Sequence, residues 1–140
     1  MSREEVELPR PLVNQLLHYA QISPEAEVCG LIGAKAGEPR TCYPVRNIAE
    51  GPNVRFQLEP QEQIEAMRQM RERGEELFAI FHSHPTTPAE PSPLDLAEAA
   101  YPEALYLIIS LNTKGVLEMR GFRLSLDERF TEVELLLKSD

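Results

Sequence analysis

Phe78 to Asp95 reads FAIFHSHPTTPAEPSPLD. It begins as an apolar run, Phe78-Ala79-Ile80-Phe81, and continues into His82-Ser83-His84-Pro85. It then crosses a Pro- and Thr-rich loop and closes on Ser92-Pro93-Leu94-Asp95. A short apolar run bounded by proline predicts a buried strand. Alternate residues of a strand share a face, so His82 and His84 project together at the strand end. Zinc takes such ring nitrogens at about 2.0–2.1 Å and, when catalytic, needs a third protein ligand and an open position. His18 is the only other histidine and lies far upstream. Asp95, one of three aspartates, is the candidate for the third place, because the loop Pro85–Pro91 is long enough to fold back.

Each part of this pattern also has an ordinary explanation. Two histidines at i and i+2 are a weak signal alone. Ser92-x-x-Asp95 is a capping box with Pro93 at the first helical position, opening a helix over Pro93–Ala100. A cap in the first turn nevertheless points Asp95 toward the strand end, so capping does not exclude metal ligation. The joint occurrence of the two spacings is what points to a metal.

Outward from this stretch, 140 residues fit one domain over 1–140, large enough for a genuine core. The chain has no run of the ~18–20 apolar residues that a membrane span requires, and its start, MSREEVELPR, is too polar for a signal peptide. A cytoplasmic protein is expected. A net charge of −9 argues against nucleic acid, which demands a basic footprint. Cys29 and Cys42 make no CxxC pattern, which excludes a structural cysteine-zinc site. They flank a hairpin turn around Ala36-Gly37 almost symmetrically and could face each other, the alternative being two reduced thiols.

In chain order, Pro9 and Pro11 open a helix over Leu12–Ile22, stopped by Ser23-Pro24. His18 reads as a surface or satisfied core residue. Val28–Ala34 is apolar throughout and predicts a central strand, in which Gly30 and Gly33 imply close backbone approach. Gly37-Glu38-Pro39 turns the chain into a second strand, Thr41–Val45. Val54–Leu58 alternates as a third. Pro60 starts a helix to Arg73, with Ile64, Met67, Met70 and Arg71 as its stripe and Gly74 as its stop; the run Arg68–Glu76 reads as a solvated face. After the His82–Asp95 stretch, Leu105–Leu111 predicts a buried strand, Asn112–Gly115 a turn and Val116–Phe122 another strand. A loop at Ser125–Asp127 precedes Phe130–Leu137, read as an edge strand. The order αβββαβαβββ predicts an α/β domain, a mixed β-sheet flanked by helices.

The stretch H82-S-H84-P-T-T-P-A-E-P-S92-P-L-D95 also fits the H-x-H-x7-S-x2-D signature of the JAMM (MPN+) metalloprotease family. E27-V-C-G-L-I-G33 resembles the upstream glutamate segment of that family, and Phe56-Gln-Leu-Glu-Pro60 resembles a segment common in its short bacterial members. The resemblance covers roughly Leu12 to Leu137. It implies a three-layer, cytidine-deaminase-like sandwich and one Zn²⁺ per chain held by His82, His84 and Asp95. It further implies Glu27 as general base and acid, and Ser92 as donor to the oxyanion. Cys29 shares a face with Glu27, so a sulfur contact to the metal is open to it, although a reduced, strand-borne thiol is the reading favoured for both cysteines. Ser83 points to the other face and is read as structural.

The same resemblance implies hydrolysis of an amide or isopeptide bond after the C-terminal Gly-Gly tail of a ubiquitin-like or sulfur-carrier protein. The other readings are a catalytically silent interaction scaffold and a generic small-peptide hydrolase. A zinc nucleobase deaminase would need H-x-E and P-C-x-x-C, and neither occurs.

Overall fold

The computed structural model describes residues 3–93, 95, 101, 103–111, 117–125 and 129–138. Among them run β1 (Glu5–Pro9), α1 (Arg10–Gln21), β2 (Cys29–Lys35), β3 (Glu38–Val45), α2 (Pro60–Glu72), β4 (Glu76–His84), β5 (Leu105–Ser110), β6 (Glu118–Leu124) and β7 (Phe130–Lys138). The strands form a single mixed sheet in the order β1-β7-β6-β5-β4-β2-β3. The sheet curls, because its two end strands return toward each other: β1 lies against β3, and Lys138 Nζ stands 3.4 Å from the Glu38 carboxylate.

Side-chain alternation divides the strands between two cores. Ile32, Ala79, Phe81, Leu105, Leu107 and Ile109 pack on one face with Leu12, Val13, Leu16 and Ala20 of α1. Cys29, Leu31, Tyr43, Ile80 and Tyr106 pack on the other with Ala66 and Met70 of α2. Each leucine or isoleucine so buried contributes about 1.5–3 kcal/mol, and together they fix which face of β4 meets which helix. The expected helices on both sides of a mixed sheet are present.

β4 and β5 are parallel neighbours. Such neighbours cannot be joined by a tight turn and require a crossover of a dozen or more residues. That crossover leaves β4 at His84 and carries Ser92 and Asp95, so a rule of sheet geometry puts the signature at one strand end. On its other side β4 pairs antiparallel with β2, Cys29 opposite His82.

Several expectations are corrected. Residues 54–58 form no strand: Leu58 makes one isolated bridge to Asn47, and the Asn47 side chain takes the bonds a partner strand would have supplied. Glu5–Pro9, passed over as a polar start, alternates exposed glutamates with buried Val6 and Leu8 and pairs in parallel with β7. β7 is therefore interior, with β1 covering it. On α2 the buried side chains are Ala66 and Met70, whereas Ile64 is 66% exposed. In the charged run, Glu75 is buried and accepts bonds from the Thr41 and Tyr43 hydroxyls at 2.7 and 2.5 Å.

The hairpin turn is Ala36-Gly37, both at positive φ (53° and 81°), as a two-residue type I′ connection requires. Its register sets Cys29 opposite Val45 and Cys42 opposite Ile32. The two cysteines consequently enter different cores and do not face each other; both are free and buried. The helix expected over Pro93–Ala100 is described only at Pro93 and Asp95, both helical. The turn Asn112–Gly115, the start of the strand at Val116 and most of the loop Ser125–Asp127 lie outside the described residues.

Candidate metal centre

β4 delivers both histidines to the α2 face of the sheet, in register with buried Ile80. Their rings are 1% and 3% exposed, and the two Nε2 atoms are 3.1 Å apart. Asp95 closes the group, with Oδ1 3.0 Å from His82 Nε2 and Oδ2 3.1 Å from His84 Nε2. Glu27 precedes β2. Extending the antiparallel Cys29–His82 register by two residues sets Glu27 opposite His84. One ligand-capable atom from each of the four buried residues lies within 4.8 Å of the others.

The donor set fits a metal. The two ring nitrogens stand 3.1 Å apart, and each is 3.0–3.1 Å from a different oxygen of the Asp95 carboxylate, close to the ~3.3–3.4 Å expected of tetrahedral ligands on bonds of about 2.0–2.1 Å. Glu27 Oε1 is buried with no hydrogen-bond partner among the described residues, a costly state for a carboxylate that a cation and its water would relieve. His84 Nδ1 donates to the Pro88 carbonyl at 2.8 Å. That bond leaves the Nε2 lone pair for a metal, a common orienting device for ligating histidine. His82 is held differently: Nδ1 has no partner among the described residues, and the ring stacks on Phe56 with centroids 4.4 Å apart.

Burial would raise the Asp95 carboxyl, but the bonds from His82 and His84 hold it far below the usual range. Asp95 is therefore ionised, as a ligand must be. Burial lowers the His82 pKa. For His84, burial is outweighed by the bonds to Asp95 and the Pro88 carbonyl, and its pKa is raised. Burial pushes Glu27 up to about 7, His84 opposing and Asp95 adding to the rise.

The capping box is real. Asp95 N–H donates to Ser92 Oγ at 3.0 Å, and Ser92 N–H donates to Asp95 Oδ2 at 2.8 Å. Asp95 thus closes the capping box with Ser92 and reaches both imidazoles, so the ordinary and the functional explanations of Asp95 hold together. Ser92 Oγ uses a lone pair for the cap and keeps its own proton to give. Ser83 points away from the group, as expected: its Oγ accepts from Val28 N–H and its N–H donates to Val28 O. Cys29 stays outside the group. Its sulfur turns to the Val45 carbonyl at 3.3 Å, and burial pushes the thiol up to about 12. His18 is exposed in the last turn of α1.

A cleft of about 190 Å³ opens over the group, lined by Glu27, His84 and Ser92 together with Asn53, Val54 and Thr87. A larger groove of about 600 Å³ between β3 and α2 touches none of the four residues. Asn47, whose amide bonds the Glu27 carbonyl, carries no chemistry-bearing pattern; Phe56 lies in a segment that the resemblance marks, but with no role attached. A phenylalanine in F-x-L-x-P looks like any buried aromatic until its ring is seen against His82.

The model of the family of prokaryotic homologs of the JAB domain matches residues 9–124. Over 115 residues the chain is 31% identical to the CysO-cysteine peptidase of Mycobacterium tuberculosis, covering 81% of this chain and 78% of that protein. It is 34% identical over 90 residues to the desampylase of Haloferax volcanii, covering 62% of this chain and 64% of that relative's length. The solution structure of a Desulfitobacterium hafniense protein superposes with a TM-score of 0.84 at 33% identity, over 96% of this chain and 93% of the other. A JAB1/MPN domain protein from Archaeoglobus fulgidus shares the fold, with a TM-score of 0.63 at 17% identity over 98% of each chain. The family match runs unbroken from α1 through β6 and so through every segment that supplies a ligand; the chain belongs to the prokaryotic JAB family, the JAMM metallopeptidases, which are hydrolases.

Proposed function

We propose that this chain works as a single-domain, zinc-dependent peptidase or isopeptidase. Its substrate is the amide bond that follows the C-terminal Gly-Gly tail of a ubiquitin-like or sulfur-carrier protein. One observation carries the reading: Glu27 holds an unpartnered, buried carboxylate oxygen beside three converging ligand atoms. That arrangement suits a carboxylate that moves a proton next to a cation.

His82, His84 and Asp95 would hold the metal, and their mixed nitrogen–oxygen character suits zinc with one open position. Such a metal, when bound, supplies Lewis acidity and a water acidified to near neutrality. Glu27 takes the proton from the attacking water and returns it to the leaving amine, a task suited to a carboxyl whose burial lifts it to about 7. Ser92, capping through its lone pair, directs its free proton at the developing oxyanion. The Pro88 carbonyl keeps the His84 ring oriented throughout.

The type of protein substrate is suggested by the relatives, whose names specify a CysO-cysteine peptidase and desampylases. An extended tail suits the shallow cleft over Glu27 and Ser92. No described helix is long and apolar enough to cross a membrane. Two buried free thiols agree with a reducing cytoplasmic setting.

Elemental analysis of purified protein beside Asp95→Ala tests the metal. About one zinc per chain, lost in the variant, is expected. Predominant iron or manganese would overturn the zinc assignment, and no metal in either protein after zinc addition would leave only an interaction scaffold. Mass spectrometry of carrier proteins extended beyond Gly-Gly, with and without chelator, tests the reaction. Zinc-dependent release of the extension is the expected result.

A further inference from the structure

The segment between Asn47 and Gln57 forms no strand, yet it is tightly organised by one side chain. Asn47 Nδ2 donates to the carbonyls of Glu27 (3.0 Å) and Arg55 (3.1 Å), while Oδ1 accepts from the amides of Ala49 and Gln57, both at 3.0 Å. All four hydrogen-bonding places of the primary amide are thereby filled. The Glu27 peptide is gripped from the other side as well, its N–H donating to the Pro52 carbonyl at 2.7 Å. Glu27 lies just outside β2, where no ladder bond holds it, and its carboxylate has an oxygen without a partner. Among the described residues no hydrogen bond holds that oxygen, so the backbone decides where the side chain starts. That backbone is set by the 47–57 segment, which also carries Phe56 onto His82.

We propose that Asn47 is the positioning residue for the Glu27 carboxylate. It acts through the Glu27 peptide and has no part in holding the metal. The inference rests on the reading of Glu27 as proton carrier. A displacement of about 1 Å at a reacting group can cost about 10²-fold in rate, and the Glu27 peptide is held from outside the sheet at both its carbonyl and its N–H. Asn47→Asp preserves shape and the acceptor atoms but turns a carboxylate oxygen toward two carbonyls. Asn47→Ala removes donor and acceptor alike.

The test has three arms on the zinc-loaded full chain. Hydrogen exchange should show the Glu27 amide losing at least about tenfold protection in both variants, with β4 amides unchanged. Zinc content should remain that of the native protein. With a Gly-Gly peptide bearing a fluorescent arylamine as substrate, kcat should fall about 10–10²-fold with KM little changed. The same change placed in a Glu27→Gln background should cost less than about twofold, since residues acting as one unit are not additive. Unchanged Glu27 protection in both variants, zinc lost in parallel, or effects that multiply in the double variant would each overturn the proposal. If the native enzyme does not cleave the peptide, the hydrolase reading fails on that substrate, and hydrogen exchange with zinc content still decides the role of Asn47.

Discussion

Glu27 is expensive in the metal-free fold. Burial lifts its pKa from 4.5 to about 7, so the folded chain holds a proton that the unfolded chain has released. A raised carboxyl pKa means stability falls as pH rises through this window, with the full penalty present above it. Chelator-treated Glu27→Gln should therefore melt at a higher temperature than the native chain at pH 8, by the equivalent of about 1–3 kcal/mol. Near pH 4, where both forms are neutral, the two should converge. A bound cation reverses the logic by favouring the carboxylate, so the stabilising effect of the substitution should shrink when zinc is present. Ser92 offers a second comparison at this scale. Ser92→Asn keeps a competent helix cap but loses the hydroxyl. If the hydroxyl serves the oxyanion, both Ser92→Ala and Ser92→Asn lose about 10²–10³ in kcat, whereas a cap alone would let asparagine restore the rate.

Among the elements, β2 is the most constrained. A Cβ at Gly30 would stand 2.4 Å from the Tyr43 carbonyl and 2.6 Å from the Phe81 ring, so there the backbone of β3 and a core ring of β4 both press on glycine. Gly30→Ala should cost about 1–3 kcal/mol or more in urea unfolding, with the β2–β4 pairing that places Glu27 opposite His84 loosened. Phe56 gives the 47–57 segment its contact with the metal group. Phe56→Ala removes the stacked face of His82 and should weaken zinc retention in a chelator competition about 10-fold or more, as outer-shell changes do. Phe56→Tyr should retain it.

At the scale of the molecule, the metal group joins β2, β4 and the crossover to β5. Metal bound to the folded state alone stabilises it by mass action, about 4 kcal/mol at a thousandfold excess over Kd. Chelation should accordingly lower the native melting temperature by several degrees or more and leave Asp95→Ala unmoved. The edges matter too. β1 covers β7, and removing residues 3–9 would expose a long strand edge, for which concentration-dependent association by light scattering is the expected result.

Much of this was legible before any fold was known. The spacing of His82, His84, Ser92 and Asp95 is local, and a period-two strand followed by a capped helix leaves those side chains few directions to take. The α1 stripe and the β4 and β5 runs are likewise dictated by which residues cannot stay in water. Three matters depended on tertiary structure. Glu27 is one of many glutamates; the resemblance of its segment singles it out, but its place beside His84 depends on the β2–β4 register. β7 reads as an edge because nothing in its own sequence announces that β1, more than a hundred residues away, will pair with it. Residues 54–58 alternate like a strand, but the Asn47 amide takes the Arg55 carbonyl and the Gln57 N–H, and only an isolated bridge to Asn47 forms. Local chemistry grouped His82, His84 and Asp95; long-range pairing decided that Glu27 stands beside them and what holds it there.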